Sequence, residues 1–205
     1  MVLTRSGVVL AGGSSTRLGV DKGLRLLAGR PLVNHIVDSI RCHVDEVIVV
    51  VASEEQSKNY RQAVDGAVIV TDIHPEGSPL VGLMTGLSFC KYPYAFAVAC
   101  DMPFVCGEAV EMLFAEAEGH GGAVFEKPNG WIEPLVAVYH VDTALREAER
   151  LYREGDLRVR MIFLSRDDVA LIPVERLRVV DPELRTFFDT DFEESFRVAE
   201  SMIKG

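Results

Sequence analysis

A loop near the start of the chain concentrates residues that can bind an anion. Residues 8–23 read VVLAGGSSTRLGVDKG, so Gly12 and Gly13 follow an apolar run, and Arg17 and Lys22 come soon after. Glycines at the end of a strand let backbone N–H groups approach a phosphate, because no Cβ stands in the way. The pattern fits a phosphate-binding loop, but it also fits an ordinary connection whose cations face solvent. It matches neither the dinucleotide fingerprint nor the P-loop.

Two aspartates follow other apolar runs. Asp72 comes directly after AVIVT, and Asp101 comes directly after YAFAVAC. One aspartate after a strand is usually a turn or cap residue. If both strands belong to one parallel sheet, however, both carboxylates lie at the edge that carries the glycine loop. A carboxylate facing a phosphate needs a cation between them, and Mg²⁺ prefers one or two carboxylates plus phosphate oxygens.

Alternating strand and helix patterns predict the fold that positions these residues. The β-branched run at 46–52 is typical of a strand buried on both faces, and Ser53 is placed to cap the helix after it. We expect an α/β fold with a single doubly wound, mostly parallel sheet and helices on both faces, in one domain over 1–205. The expected strands are 7–12, 46–52, 67–71, 94–100, 122–127, 133–140 and 169–174, and the expected helices are 31–43, 53–64, one ending near 91, 107–118, 141–153 and one from about 192.

The composition excludes several functional classes. The formal net charge of −10 argues against nucleic acid as a partner, because its backbone requires a basic face. The longest apolar runs are far too short to span a membrane, so no membrane partner is expected. The four cysteines lack CxxC spacing, which favours reduced thiols and a cytoplasmic location.

The glycine loop resembles the opening signature of the molybdenum cofactor guanylyltransferases, a family of nucleotidyltransferases. The family pattern is L-A-G-G-x-S-x-R-M-G-x-D-K followed by G-x-P-L, and this chain departs from it at Leu18. Further matches are SPLVG at 78–82, CDMPF at 100–104 and EPLVAVYH at 133–140. The resemblance therefore runs in order through about two-thirds of the chain.

The resemblance implies a Rossmann-like nucleotidyltransferase that transfers GMP from GTP to the terminal phosphate of molybdopterin, with Mg²⁺, and releases pyrophosphate. It implies GTP and molybdopterin as substrates and transient contact with other cofactor-biosynthesis proteins. Asp72 would bind the guanine edge. The nucleotide-binding residues it implies are Leu10, Ala11, Gly12, Gly13, Lys22, Asp72 and Asp101. The implied catalytic residues are Arg17, Lys22 and Asp101, and the implied metal ligands are Asp101, Asp189 and Asp191.

Two departures from the family pattern keep alternatives open. The family has asparagine after its second strand, where this chain has Ala52 and Ser53, and it has two asparagines where this chain has Asp189 and Asp191. The alternatives are cytidylyl transfer to molybdopterin, guanylyl transfer to a cobinamide phosphate, and a nucleotide-binding regulatory protein without turnover.

Three further residues are candidates for contact with the second substrate. Arg158 and Arg160 in GDLRVRMIF could bind its phosphate or could lie on a solvated helix face. Trp131 could stack on a flat ring, although we expect it to cover the core.

Overall fold

Among the described residues, seven strands form one central sheet. The computed structural model describes residues 4–12, 14–15, 20–75 and 77–204, with the backbone alone at 14, 15 and 20. In chain order the strands are β1 (Arg5–Leu10), β2 (Glu46–Val51), β3 (Val68–Thr71), β4 (Tyr94–Ala99), β5 (Gly122–Glu126), β6 (Ile132–His140) and β7 (Ala170–Pro173). Their order across the sheet is β7-β5-β6-β4-β1-β2-β3. All neighbours pair in parallel except β6, which is antiparallel to both β4 and β5. The predicted mostly parallel sheet is confirmed.

Helices pack on both faces of this sheet, as predicted. In chain order the helices are α1 (Leu32–Ile40), α2 (Glu54–Ala63), α3 (Pro79–Phe89), α4 (Gly107–Ala117), α5 (Val141–Arg153), α6 (Met161–Leu164), α7 (Val174–Leu177) and α8 (Glu193–Lys204). Successive side chains of a strand point to opposite faces. Val9 accordingly packs in the core with α1 and α4, whereas its neighbour Val8 packs in the core with α3 and α5.

The chain enters the sheet in its middle, and this topology creates a crevice. From β1 it proceeds to β2 and β3 on one side, then returns to add β4 on the other side of β1. Ligands of open α/β sheets bind at such a switch point, outside the carboxyl ends of the strands. The fold therefore directs attention to the segments that follow β1 and β4.

The later part of the chain departs most from its predicted elements. Helices α6 and α7 and a 3-10 turn at Arg185–Phe187 were not predicted, because segments of three or four residues carry no measurable periodicity. Strand β6 is longer than predicted and contains a register shift between Ile132 and Ala137. Bulges of this kind are common beside active sites, where they redirect a side chain.

Two short antiparallel pairs, Ser14–Ser15 with Val20–Asp21 and Leu26–Leu27 with Arg30–Pro31, precede α1. None of the helices in the described ranges is both long and apolar enough to cross a membrane. The single-domain assignment over 1–205 stays a prediction.

Candidate active site

One edge of the sheet carries the polar residues that the sequence singles out. Asp72 directly follows β3, and Ala52 directly follows β2. Gly12 lies just beyond β1, and Asp101 lies just beyond β4. Glu133 belongs to this edge too, because antiparallel β6 begins where its neighbours end. Asp101 and Asp72 thus lie at opposite ends of a row of four adjacent parallel strands, with Glu133 one strand beyond Asp101.

Lys22 joins two of the predicted carboxylates. Its Nζ lies 2.6 Å from Oδ2 of Asp101 and also contacts Oδ1 of Asp191. Both Lys22 and Asp101 are largely buried, with side-chain exposures of 17% and 18%. Asp191 comes from the segment before α8, so the fold brings together residues that are far apart in the sequence. The ordinary-connection alternative, with Lys22 in solvent, is wrong for this lysine.

Lys22, Asp101 and Asp191 form a triad whose charges affect one another. Burial alone would lower the pKa of Lys22, but attraction and hydrogen bonding to Asp101 and Asp191 outweigh it and raise that pKa. Burial raises the pKa of Asp101, and the ammonium of Lys22 offsets only part of this effect. The hydrogen bond from Lys22 lowers the pKa of the more exposed Asp191. Lys22 is therefore a cation whose charge the site stabilises strongly.

Asp101 retains an oxygen that could bind a further cation. Its Oδ1 is buried and has no hydrogen-bond partner among the described residues. No group of three or more metal-binding side chains occurs in the described parts of the chain. Mg²⁺ does not require such a group, because it takes one or two carboxylates together with phosphate oxygens and water. The donor set therefore suits a metal that arrives with a phosphate ligand.

The segment before α8 is fastened directly to the turn after β4. Thr190 donates two hydrogen bonds to the Asp101 carbonyl, 2.9 Å from its N and 3.1 Å from its Oγ1. Exposed Asp189 accepts a hydrogen bond from the Asp191 N–H at 3.2 Å. The structure thus holds Asp189 and Asp191 beside Asp101, and their role as metal ligands stays a prediction.

A buried network positions Lys22, and the sequence reasoning missed it. Asp21 accepts hydrogen bonds from the Tyr60 hydroxyl at 2.6 Å, from Gln56 Nε2 at 2.9 Å and from the Gly23 N–H at 3.1 Å. Tyr60 is fully buried, and a Cβ on Gly23 would lie 2.2 Å from its hydroxyl. The network locks the residues on both sides of Lys22. The only signal in the sequence was the unusual placement of a tyrosine on a polar helix.

Gly12 illustrates why a small residue is needed just beyond the first strand. A Cβ at this position would lie 3.0 Å from the Ala52 N, which is tighter than ordinary contact. The Ala52 N–H donates to Gln56 Oε1 at 2.8 Å, and Ser53 caps α2 by accepting from the Gln56 N–H. Helix α2 therefore begins where the family has its asparagine, and the predicted cap at Ser53 is confirmed.

The other predicted residues of the first loop divide into two groups. Leu10 is the last residue of β1 and Ala11 follows it, and the Leu10 carbonyl accepts from the Cys100 N–H at 3.0 Å, which joins the ends of β1 and β4. Gly13 and Arg17 lie outside the described residues, so their predicted phosphate contacts stay predictions.

Asp72 has a different environment from Asp101. Burial raises its pKa from 3.8 to about 6, partly offset by the Thr85 hydroxyl, and its Oδ1 is buried without a hydrogen-bond partner among the described residues. A Cβ on Gly82 would lie 3.7 Å from that oxygen and 3.4 Å from Leu10 Cδ2. The carboxylate therefore sits in a small niche between β1 and the start of α3.

The loop after Asp72 is anchored by an aromatic contact. The His74 ring stacks on Tyr152 of α5, with centroids 4.5 Å apart and an interplanar angle of 18°. The Ile73 N–H donates to Thr85 Oγ1 at 3.1 Å. These contacts fix the backbone on the far side of Asp72, and neither could be deduced from spacing in the sequence.

A second concave region lies beyond Asp101. It is a cavity of about 350 Å³ whose lining includes Pro79, Trp131, Glu133, Arg158 and Arg160. Trp131 is 47% exposed, so the expectation that it covers the core is wrong. Burial raises the pKa of Glu133, and the negative charges of Asp101 and Asp189 add to that rise. The cavity therefore opens within electrostatic reach of the triad.

The fold and this arrangement of groups are those of a nucleotidyltransferase. The model of the MobA-like NTP transferase domain family matches residues 7–169, and the chain belongs to that family.

Several named proteins and solved structures resemble the chain over nearly its full length. A protein of Natronomonas pharaonis named "Probable molybdenum cofactor guanylyltransferase" is 36% identical over 199 residues, covering 95% of this chain and 96% of that protein. A molybdenum cofactor guanylyltransferase of Desulfosudis oleivorans is 30% identical over 200 residues, covering 97% and 96%. The crystal structure of molybdopterin-guanine dinucleotide biosynthesis protein A from Archaeoglobus fulgidus aligns with a TM-score of 0.83 at 27% identity, covering 97% of this chain and 98% of that one.

Proposed function

We propose that this protein transfers GMP from GTP to the terminal phosphate of molybdopterin in a Mg²⁺-dependent reaction that releases pyrophosphate. The observation that carries the proposal is the pairing of Lys22 with Asp101, whose Oδ1 has no partner among the described residues, at the switch point of the sheet. The names of the relatives, which describe guanylyl transfer to the molybdenum cofactor, support the choice of base and acceptor.

The row of residues along the sheet edge suggests how GTP would lie. Asp72 accepts hydrogen bonds only, and the guanine edge offers adjacent N1–H and N2–H₂ donors. Gly12 follows β1, which lies between β3 and β4 in the sheet, and the ammonium of Lys22 contacts Asp101 at the end of β4. We therefore assign the base to the β3 end of the edge and the phosphates to the ends of β1 and β4.

The proposed reaction requires no side-chain base. An oxygen of the acceptor phosphate attacks the α-phosphorus of GTP, and the bond to the bridging oxygen of the β-phosphate breaks as pyrophosphate leaves with the electron pair. A phosphomonoester has a second pKa of about 6, so the attacking oxygen is largely ionised at neutral pH. The barrier is the approach of two anions and the charge that develops on the leaving group.

The residues of the triad would lower that electrostatic barrier. Lys22 supplies a fixed positive charge whose position is set by Asp21 and the turn at Gly23. Asp101, with Asp189 and Asp191, would hold Mg²⁺, which when bound neutralises phosphate charge. Positioning and charge compensation of this kind need no covalent intermediate.

A pyrophosphate-release assay tests the proposal. The purified protein is incubated with Mg²⁺, molybdopterin and either GTP, CTP or ATP, and each nucleotide is also assayed without acceptor. We expect release with GTP that depends on the acceptor. Binding of GTP without release would overturn the proposal in favour of a regulatory nucleotide-binding protein. Faster release from CTP would overturn the assignment of the base.

A further inference from the structure

The cavity beside Glu133 contains an aromatic face and an unsatisfied guanidinium donor. Trp131, which directly precedes β6, is 47% exposed. The guanidinium carbon of Arg160 lies 5.8 Å from the centroid of the Trp131 ring. The Arg160 Nε is buried and has no hydrogen-bond partner among the residues that the structure describes. A buried donor without an acceptor costs free energy, and a ligand acceptor group would remove that cost.

The neighbouring Arg158 differs from Arg160 in a way that the sequence could not reveal. Its Nε and Nη2 donate to the two carboxylate oxygens of Asp156 at 2.9 and 2.6 Å, and the side chain is 59% exposed. This bidentate pair already neutralises the Arg158 charge. Both arginines line the cavity, and Arg160 is the one whose Nε has no hydrogen-bond partner among the described residues.

The position of the cavity places it on the acceptor side of the reaction. Glu133 lines it and belongs to β6, which is the next strand beyond β4 and Asp101. Asp72, which we assign to the base, follows β3. This strand lies on the other side of β4 from Glu133 and is separated from β4 by β1 and β2. Adjacent strands are about 4.8 Å apart, so Asp72 and Glu133 are separated by roughly 19 Å along the edge. The cavity also reaches Pro79 at the start of α3, but its other lining residues come from the segment at the start of β6 and from the α5–α6 connection.

We propose that Trp131 and Arg160 select the acceptor by its ring: the flat pyrimidine ring of a pterin stacks on the Trp131 indole, and an oxygen or nitrogen acceptor of that ligand receives the Arg160 Nε–H. The inference rests on the proposed function and deepens it, because it restricts the acceptor to phosphomonoesters that carry a planar ring such as a pterin. Acceptors with an aliphatic alcohol phosphate, including a cobinamide phosphate, lack a ring at that position and gain nothing from the indole.

Intrinsic fluorescence tests ring binding without any turnover. Trp131 is the single tryptophan of the sequence, so the emission of the wild-type protein reports on this cavity alone. The probes are 6-hydroxymethylpterin phosphate, glycerol 3-phosphate and Mg²⁺–GTP, with free N-acetyltryptophanamide as the correction for light absorbed by the pterin. We expect saturable quenching by the pterin phosphate and no saturable change with glycerol 3-phosphate. No saturable change with the pterin phosphate would overturn the inference, and so would equal quenching by GTP, which would assign the cavity to the nucleotide.

Variants separate this inference from the proposed function. Stacking of one base on an aromatic side chain corresponds to about a tenfold or larger effect on binding. Trp131→Leu should therefore raise the KM for molybdopterin about tenfold, Trp131→Phe should restore most of the affinity, and both should leave the Kd for GTP unchanged. Phe89→Leu is the matched control, because Phe89 is 50% exposed and does not line the cavity.

Arg160→Gln should raise the same KM without altering GTP binding. If the wild-type protein turns over but neither Trp131→Leu nor Arg160→Gln changes the KM for molybdopterin, the inference is wrong and the proposed function stands. Absence of turnover in the wild-type protein, with pterin quenching retained, would overturn the proposed function and support the ring site.

Discussion

Asp72 and Asp101 occupy equivalent positions in the fold but very different surroundings. Each follows a parallel strand at the same edge of the sheet, and each has a buried Oδ1 without a hydrogen-bond partner among the described residues. Asp101 is paired with Lys22 at 2.6 Å. Among the described residues, Asp72 has the hydroxyl of Thr85 nearby instead of a cation, and burial raises its pKa to about 6.

The difference indicates a division of labour between the two ends of the site. A carboxylate beside a fixed cation suits a centre that binds phosphate and metal, where charges must balance as negative charge develops. A carboxylate in a niche without a cation suits recognition of neutral N–H donors, because its hydrogen-bonding capacity is not already used. The four predictions that follow test this contrast.

The largest expected effect is on turnover at the Asp101 end. Asp101→Asn keeps the shape of the side chain and removes its charge, so we expect GMP transfer to slow by about a hundredfold or more. The backbone bonds from Thr190 to Asp101 are retained, so the variant should keep its fold, which circular dichroism can verify. Turnover at the wild-type rate over a Mg²⁺ titration would refute the assignment of Asp101 to the charged centre.

Lys22→Met should weaken GTP binding by about tenfold or more, because it removes a charge-assisted contact to phosphate. Isothermal titration calorimetry with Mg²⁺–GTP measures the change. Lys58→Met is the control, since Lys58 is exposed on α2 and lies outside the triad. An unchanged Kd for Lys22→Met would show that the lysine only compensates Asp101 and Asp191.

Asp72→Asn should change base preference more than overall affinity. An amide cannot accept from both guanine donors with the strength of a carboxylate, so the ratio of ATP Kd to GTP Kd should fall by about tenfold. The matched control is Asp65→Asn, an exposed aspartate in the turn before β3. Should the variant keep its ratio and lose affinity for both nucleotides equally, Asp72 would belong to the phosphate end of the site.

The smallest effect is the pH dependence that arises from the raised pKa of Asp72. Its ionised form binds guanine, so the preference for GTP over ATP should decline as the pH falls through about 6, while the shared triphosphate cancels in the ratio. Folding disfavours ionisation of this group, so wild-type stability should fall relative to Asp72→Asn as the pH rises from about 4 to 6 and then level off. Thermal melts at pH 4.5 and 7.5 measure this difference. A difference in melting temperature that is the same at both pH values would contradict the burial of Asp72.

Much of the nucleotide side of the site followed from the sequence. The unbroken apolar runs predicted the central strands, and the alternation with helices predicted the parallel sheet that places Gly12, Asp72 and Asp101 at one edge. The cap at Ser53 was also predicted, and its side chain accepts from the Gln56 N–H. These features were accessible because each depends on local composition or on a local capping preference.

The acceptor side was much less accessible. Glu133 was not singled out, because its place at the edge depends on β6 running antiparallel to its neighbours. Trp131 was expected in the core and instead lines a cavity, since its exposure is set by the α5–α6 connection rather than by its own segment. Arg158 and Arg160 look equivalent in the sequence, but Arg158 pairs with Asp156 whereas Arg160 lies near the Trp131 ring with a buried, unpartnered Nε among the described residues.

By itself the sequence determined which strands form the sheet, which residues end them and which chemistry those residues favour, because strand burial and loop composition are local properties. Only the tertiary structure decided that Lys22 lies between Asp101 and Asp191, residues 79 and 169 positions away along the chain. It likewise decided that no cation of the described residues lies beside Asp72 and that Trp131 lines a cavity. Charge compensation and burial depend on groups brought together through space, and no pattern within a single segment encodes them.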